Sequence, residues 1–142
     1  MAEVFAGFVA GYILALLTTL PFAILLFRLR GSSEVLARIV PTGTAVGFSV
    51  VLHGALFFCW TLVGLLFGLV LLAMNDAGAG RGLGSANFAF TLFVAAVTLM
   101  LVAPFAVIMA GARRYLVAGA LSVVLVFGWL MPWLAEWSSF NK

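Results

Sequence analysis

The chain has 142 residues, 66% of them hydrophobic and only 8% charged, with a formal net charge of +3, and its mean hydropathy is +1.32. Soluble domains average roughly half apolar and a quarter charged residues, so this composition excludes a water-soluble fold and points to a protein immersed in a lipid bilayer. The seven basic residues are split among short segments and form no stripe able to follow a phosphate backbone, so nucleic acid is not an expected partner.

A single cysteine and a single histidine exclude an intramolecular disulfide and fall short of a zinc site, which takes about four ligands. With no catalytic motif beside them, neither an enzymatic activity nor a cofactor is expected. A helix needs about 20 apolar residues to cross a hydrocarbon core about 30 Å thick. Segments 4–27, 44–74, 86–110 and 115–135 are long enough. The expected fold is all-α: one transmembrane domain over residues 1–142, built as a bundle of four transmembrane helices.

The first span carries Glu3 where a cleaved signal peptide would have a basic region, and its apolar run is too long for one, so it is expected to stay in the membrane. Gly7, Gly11 and Ala15, followed by Thr19 and Ala23, form an i,i+4 row of small residues of the kind that lets membrane helices approach closely. Pro21 removes the N–H that would bond the Leu17 carbonyl, which then needs another donor. The segment after it, RLRGSSEVLARIVPTG, reads as a surface helix over 33–40, with Ser33 as N-cap, Glu34 and Arg38 at i,i+4, and Pro41 as its stop.

The second span contains SVVLHGALFFCW, residues 49–60, with both His53 and Cys59. Six residues on a helix separate side chains by about 120° and 9 Å, so the two do not converge on one metal. Trp60, seven residues beyond His53, shares its face. Small residues recur every seventh position at Gly47, Gly54, Thr61 and Gly68, with Gly64 beside them. Gly78, Gly80, Gly82 and Gly84 follow in NDAGAGRGLGSAN. They alternate after a membrane helix, whereas a dinucleotide fingerprint is G-x-G-x-x-G after a strand, so the segment reads as a linker, with Ser85 capping the next span.

The third span repeats the seven-residue pattern with Ala89, Ala96, Ala103 and Ala110, and Pro104 frees the Met100 carbonyl. The fourth is bulkier, with Gly128 as its main notch, and an edge position is expected for it. Pro132 frees the Gly128 carbonyl. Trp129, Trp133 and Trp137 fall at i,i+4,i+8 near one end and Tyr115 near the other, as in an interfacial aromatic belt.

Positive residues favour the cytoplasmic side. Arg28, Arg30, Arg38, Arg113 and Arg114 lie on one side, and only Arg81 and Lys142 on the other. Both termini are therefore expected on the non-cytoplasmic side, in what reads as the cytoplasmic membrane of a prokaryote. His53 lies nine residues after Thr44, about 13 Å into its span. Thr18, Thr19 and Ser122 fall at the same depth, which predicts an intramembrane polar layer of His53, Thr18, Thr19 and Ser122, with His53 donating to Leu17 C=O or to Thr18. A charge at that depth costs several kcal/mol, a cost that a neutral imidazole avoids.

These features point first to an accessory, structural or assembly subunit of a larger membrane complex, in contact with the lipid bilayer and with a membrane-protein partner or a second copy of itself. A transporter or channel protomer using the His53 layer is the alternative. A haem or quinone anchor is the third, a haem then taking a methionine such as Met100, or a partner's residue, as its second axial ligand.

Overall fold

The computed structural model describes residues 1–29, 38, 45–78, 86–108, 111 and 113–140. Helix α1 runs Ala2–Leu29, α2 Ala45–Asp76 and α3 Ala86–Ile108. The last span is three consecutive pieces: α4 over Arg113–Val123, a π-helical stretch over Val124–Leu130, and α5 over Met131–Phe140. No strand occurs among the described residues. All four spans are long and apolar enough to cross a membrane, so the chain is an all-α, multi-pass integral membrane protein. The expected surface helix over 33–40 lies outside the described residues except for Arg38, which is exposed. The linker glycines Gly80, Gly82 and Gly84, the Ser85 cap and Ala110 also lie outside them.

The closest approach is between α1 and α2, which run antiparallel with Gly7 opposite Gly64, Gly11 opposite Trp60 and Thr61, and Glu3 and Val4 opposite Gly68. A Cβ on Gly7 would run into the Gly64 carbonyl, and one on Gly68 would sit 2.7 Å from the Glu3 carbonyl oxygen. Two four-residue rows thus meet face to face, Gly7–Gly11 against Gly64–Gly68, with Thr61 buried beside them. Removing the side chains brings backbone against backbone, and the gain is dispersion between closely apposed atoms.

On α2 the seven-residue row is therefore only partly in the contact. Thr61 and Gly68 are in it, but Gly47 and Gly54 are exposed and a Cβ on Gly54 would meet nothing within 4 Å. A seven-residue row drifts by about 20° per repeat on a straight helix, so it leaves a seam that the partner's four-residue row defines. The alanine row of α3 departs further, with Ala89 half-buried and Ala96 and Ala103 exposed. The buried row is Phe90, Val94 and Thr98 at i,i+4,i+8, covered by the partner helix of α3.

That partner is the fourth span, which lies between α1 and α3 rather than at an edge. Val126 and Phe127 of the π stretch, with Met131 and Ala135 of α5, join Ala6, Ala10 and Leu14 of α1, Leu71 of α2, and Phe90 and Val94 of α3 in one core. Burial of the three consecutive residues Val126, Phe127 and Gly128 requires cover on more than one side. Phe67 of α2 reaches into the same core, its ring centroid 5.1 Å from Phe127 and 6.3 Å from Phe90.

The π turns have a local cause. Pro132 lacks an N–H, and its ring crowds the carbonyl four residues earlier, that of Gly128. The backbone just before it widens to i→i−5 bonding, the Met131 N–H donating to the Val126 carbonyl. The Gly128 carbonyl takes its hydrogen bond from α3, where Thr91 Oγ1 donates to it at 2.5 Å. A side chain at 128 would obstruct this, since its Cβ would lie 3.3 Å from Thr91 Cγ2.

Candidate intramembrane polar site

Threonine in a membrane helix must find partners for its hydroxyl, and the backbone carbonyl one turn back is the nearest acceptor. Thr18 Oγ1 donates to the Leu14 carbonyl at 2.7 Å, and Thr19 Oγ1 to the Ala15 carbonyl at 2.6 Å. Each oxygen retains lone pairs directed away from its own helix. Helix α2 supplies a group for each: His53 Nδ1 lies 2.8 Å from Thr19 Oγ1, and the Trp60 indole N–H donates to Thr18 Oγ1 at 3.0 Å. Side chains lean toward the N-terminus of their own helix, so on antiparallel helices they lean toward each other. Trp60, which faces Gly11 through its backbone, reaches Thr18 by this lean.

Proton accounting fixes the imidazole tautomer. A carbonyl oxygen only accepts, so the 2.6 Å contact between Thr19 Oγ1 and the Ala15 carbonyl consumes the one hydroxyl proton of Thr19. The 2.8 Å contact to His53 then requires the proton on Nδ1, with Thr19 as acceptor. In the neutral ring Nε2 carries a bare lone pair. Thr19 is thus a relay in the hydrogen-bonding sense only: it passes the polarity of the Ala15 carbonyl to the histidine and orients the ring.

Beside this pair lies a cleft of about 300 Å³, lined by Leu16, Thr19, Leu20 and Ala23 of α1 and by Ser49 and His53 of α2. Among the described residues, none that lines it comes from α3 or the fourth span. The cleft therefore opens on the flank of the α1–α2 pair, not into the core. Ser49 is one turn before His53, so both belong to the same wall of α2.

Of the four residues of the expected polar layer, His53 and Thr19 meet directly, while Thr18 makes a separate interhelical bond, to Trp60. Ser122 stands apart, its hydroxyl donating to Ala118 O at 2.9 Å within its own helix. His53 pairs with Thr19 instead of Thr18 or the Leu17 carbonyl, because the indole of Trp60 takes Thr18. Trp60 is the one participant absent from the expected layer, although its heptad spacing from His53 is visible in the sequence. Cys59 is exposed on another face. Among the described residues, no three of His, Cys, Asp and Glu converge on a common point.

At the far end of the α1–α2 pair, Glu3 accepts from the N-terminal ammonium at 3.1 Å and from Asn75 Nδ2 at 3.4 Å. These contacts join the two helix ends where they leave the apolar region. Comparison with family models, with curated proteins and with solved structures finds no match, so the functional reading rests on the residues of this chain alone.

Proposed function

We propose that this protein is a non-enzymatic subunit or assembly factor of a larger complex in the membrane, its four spans acting as one domain. The observation that carries this reading is the sparse burial of α3, where only 11% of the most apolar window is covered, against 28% for α1. Leu99, Met100, Leu101, Phe105, Val107 and Ile108 are all exposed over its second half. Membrane helices associate by close packing, and a helix with one contact row has its remaining faces available to another span.

The side of the membrane belongs to the same proposal. Arg28, Arg38, Arg113 and Arg114, all exposed, cluster at the ends that would be cytoplasmic, leaving both termini outside in a prokaryotic cytoplasmic membrane. The decisive experiment is purification of the full chain from its native membrane in a mild detergent or a lipid-retaining polymer. A stoichiometric membrane partner is expected, or a homo-oligomer if the partner is a second copy. A lone, monodisperse monomer overturns the reading.

The cleft beside His53 favours one second reading, a protomer of a small transporter or channel. A polar wall of Ser49, Thr19 and His53 in an otherwise apolar span is the feature such pathways are built from. Flux in liposomes that is lost in His53→Ala would support it. Flux unaffected by that change removes His53 from any pathway.

A further inference from the structure

We propose that the α1–α2 cleft is a binding site for a membrane-soluble molecule that carries a hydroxyl on an apolar body, and that His53 Nε2 accepts the hydrogen bond from that hydroxyl. This goes beyond the role in a complex and does not depend on it.

Three observations lead to this ligand chemistry. The first is proton accounting: Thr19 gives its proton to the Ala15 carbonyl at 2.6 Å, so His53 Nδ1 must donate to Thr19 at 2.8 Å. The neutral ring is left with an acceptor at Nε2. The second is access. The ring is half-buried; among the described residues its one hydrogen bond is through Nδ1 and no buried side-chain nitrogen or oxygen lacks a partner. Nε2 is therefore not sealed inside the protein, and the open space beside the ring is the cleft. The third is the rest of the lining: Leu16, Leu20 and Ala23 give an apolar surface, and about 300 Å³ is at the small end of ligand sites and ample for a six-membered ring or a short acyl segment.

Among the described residues no carboxylate lines the cleft, and an uncompensated imidazolium facing hydrocarbon is costly. A lone acceptor in such a place selects for donors. A hydroquinone, a phenol or the free hydroxyl of a diacylglycerol fits, whereas an oxidised quinone offers only carbonyl acceptors to a nitrogen that is itself an acceptor. Selectivity of this kind is strong where a buried polar group would otherwise be left unpaired.

The single histidine makes the test direct. The full chain, labelled with ¹⁵N only at histidine, is placed in phosphatidylcholine nanodiscs, and the two ring nitrogens are followed by NMR. In the unliganded protein Nδ1 is expected protonated and Nε2 bare; the opposite tautomer overturns the proposal. Decyl-hydroquinone, decylquinone and dioctanoylglycerol are then titrated. Saturable movement of the Nε2 signal is expected with at least one hydroxyl compound, at an affinity at least about fivefold above that of decylquinone, the worth of one net hydrogen bond. The tighter of the two hydroxyl compounds identifies whether the source is a reduced quinone or a glyceride. Equal response to decylquinone, or no response to either hydroxyl compound, overturns the proposal. Ala23→Phe, which places a ring in the cleft, is expected to abolish the response; retention of the response in that variant, with the native tautomer still seen in its unliganded spectrum, also overturns the proposal. The wild-type titration stands even if this variant fails to fold.

Discussion

At the scale of single residues, the paired threonines show how hydroxyls are accommodated in a membrane helix. Each gives its proton to its own backbone and its lone pair to α2, so two interhelical hydrogen bonds form without an unsatisfied group. Interhelical hydrogen bonds in membranes average about 0.6 kcal/mol and reach about 1.7 kcal/mol. Thr19→Val should therefore lower stability by about that amount in a denaturant titration from mild to harsh detergent. Its sharper effect concerns the proton: without the Thr19 oxygen, Nδ1 loses its acceptor and histidine ¹⁵N spectra should show the two tautomers mixing. A spectrum unchanged from wild type would mean that Thr19 does not set the tautomer. Trp60→Phe keeps a ring beside Phe127, 6.2 Å away in the native protein, and should cost only the hydrogen bond to Thr18.

At the scale of elements, the α1–α2 seam and the fourth span illustrate two uses of glycine. Gly64→Ala places a Cβ against the Gly7 carbonyl, backbone against side chain with no flexible neighbour to yield. Overpacking of this kind costs about 1–3 kcal/mol, so the unfolding midpoint should fall. Gly54→Ala, where a Cβ meets nothing, should leave it unchanged or raise it, as expected for a better helix former. Similar losses at both sites would place the close approach elsewhere. In the fourth span, Gly128 gives room for Thr91 to reach a carbonyl that Pro132 has freed. Thr91→Val should cost about 1 kcal/mol. In a Pro132→Ala background the restored N–H can serve that carbonyl, so the same change should cost less. A double-mutant cycle measures the difference, and strictly additive effects would deny the link between Pro132 and Thr91.

At the scale of the whole molecule, the arrangement is a tight α1–α2 pair joined through the fourth span to a sparsely covered α3. The core collects where Phe67, Phe90 and Phe127 meet, away from the His53 cleft. Stability and the polar site are thus separate. His53→Ala should remove the cleft's acceptor at little cost to thermal stability in detergent, whereas Phe127→Ala, at a fully buried position, should cost about 3–5 kcal/mol. Membrane thickness enters here too, because α1 and α2 are 28 and 32 residues long, which at 1.5 Å per residue exceeds a hydrocarbon core of about 30 Å. Both helices must tilt or extend into the headgroup region.

The sequence by itself determined the class, the four spans and their approximate bounds, because hydropathy over some 20 residues is a property of composition and the bilayer imposes the length. It also determined that Pro132 would leave the Gly128 carbonyl in need of a donor and that His53 and the threonines share a depth, since both follow from position along a helix. Only the tertiary structure decided which small residues form the seam. Gly64 and Gly68 face Gly7 and Gly11, while Gly54, equally small, faces outward. Small residues permit close approach but do not choose the partner. The same holds for the central place of the fourth span, the separation of Ser122 from His53, and the capture of Thr18 by Trp60. Each depends on rotation of one helix against another, a degree of freedom that a uniformly apolar sequence leaves nearly unmarked because lipid and protein neighbours are alike to a leucine.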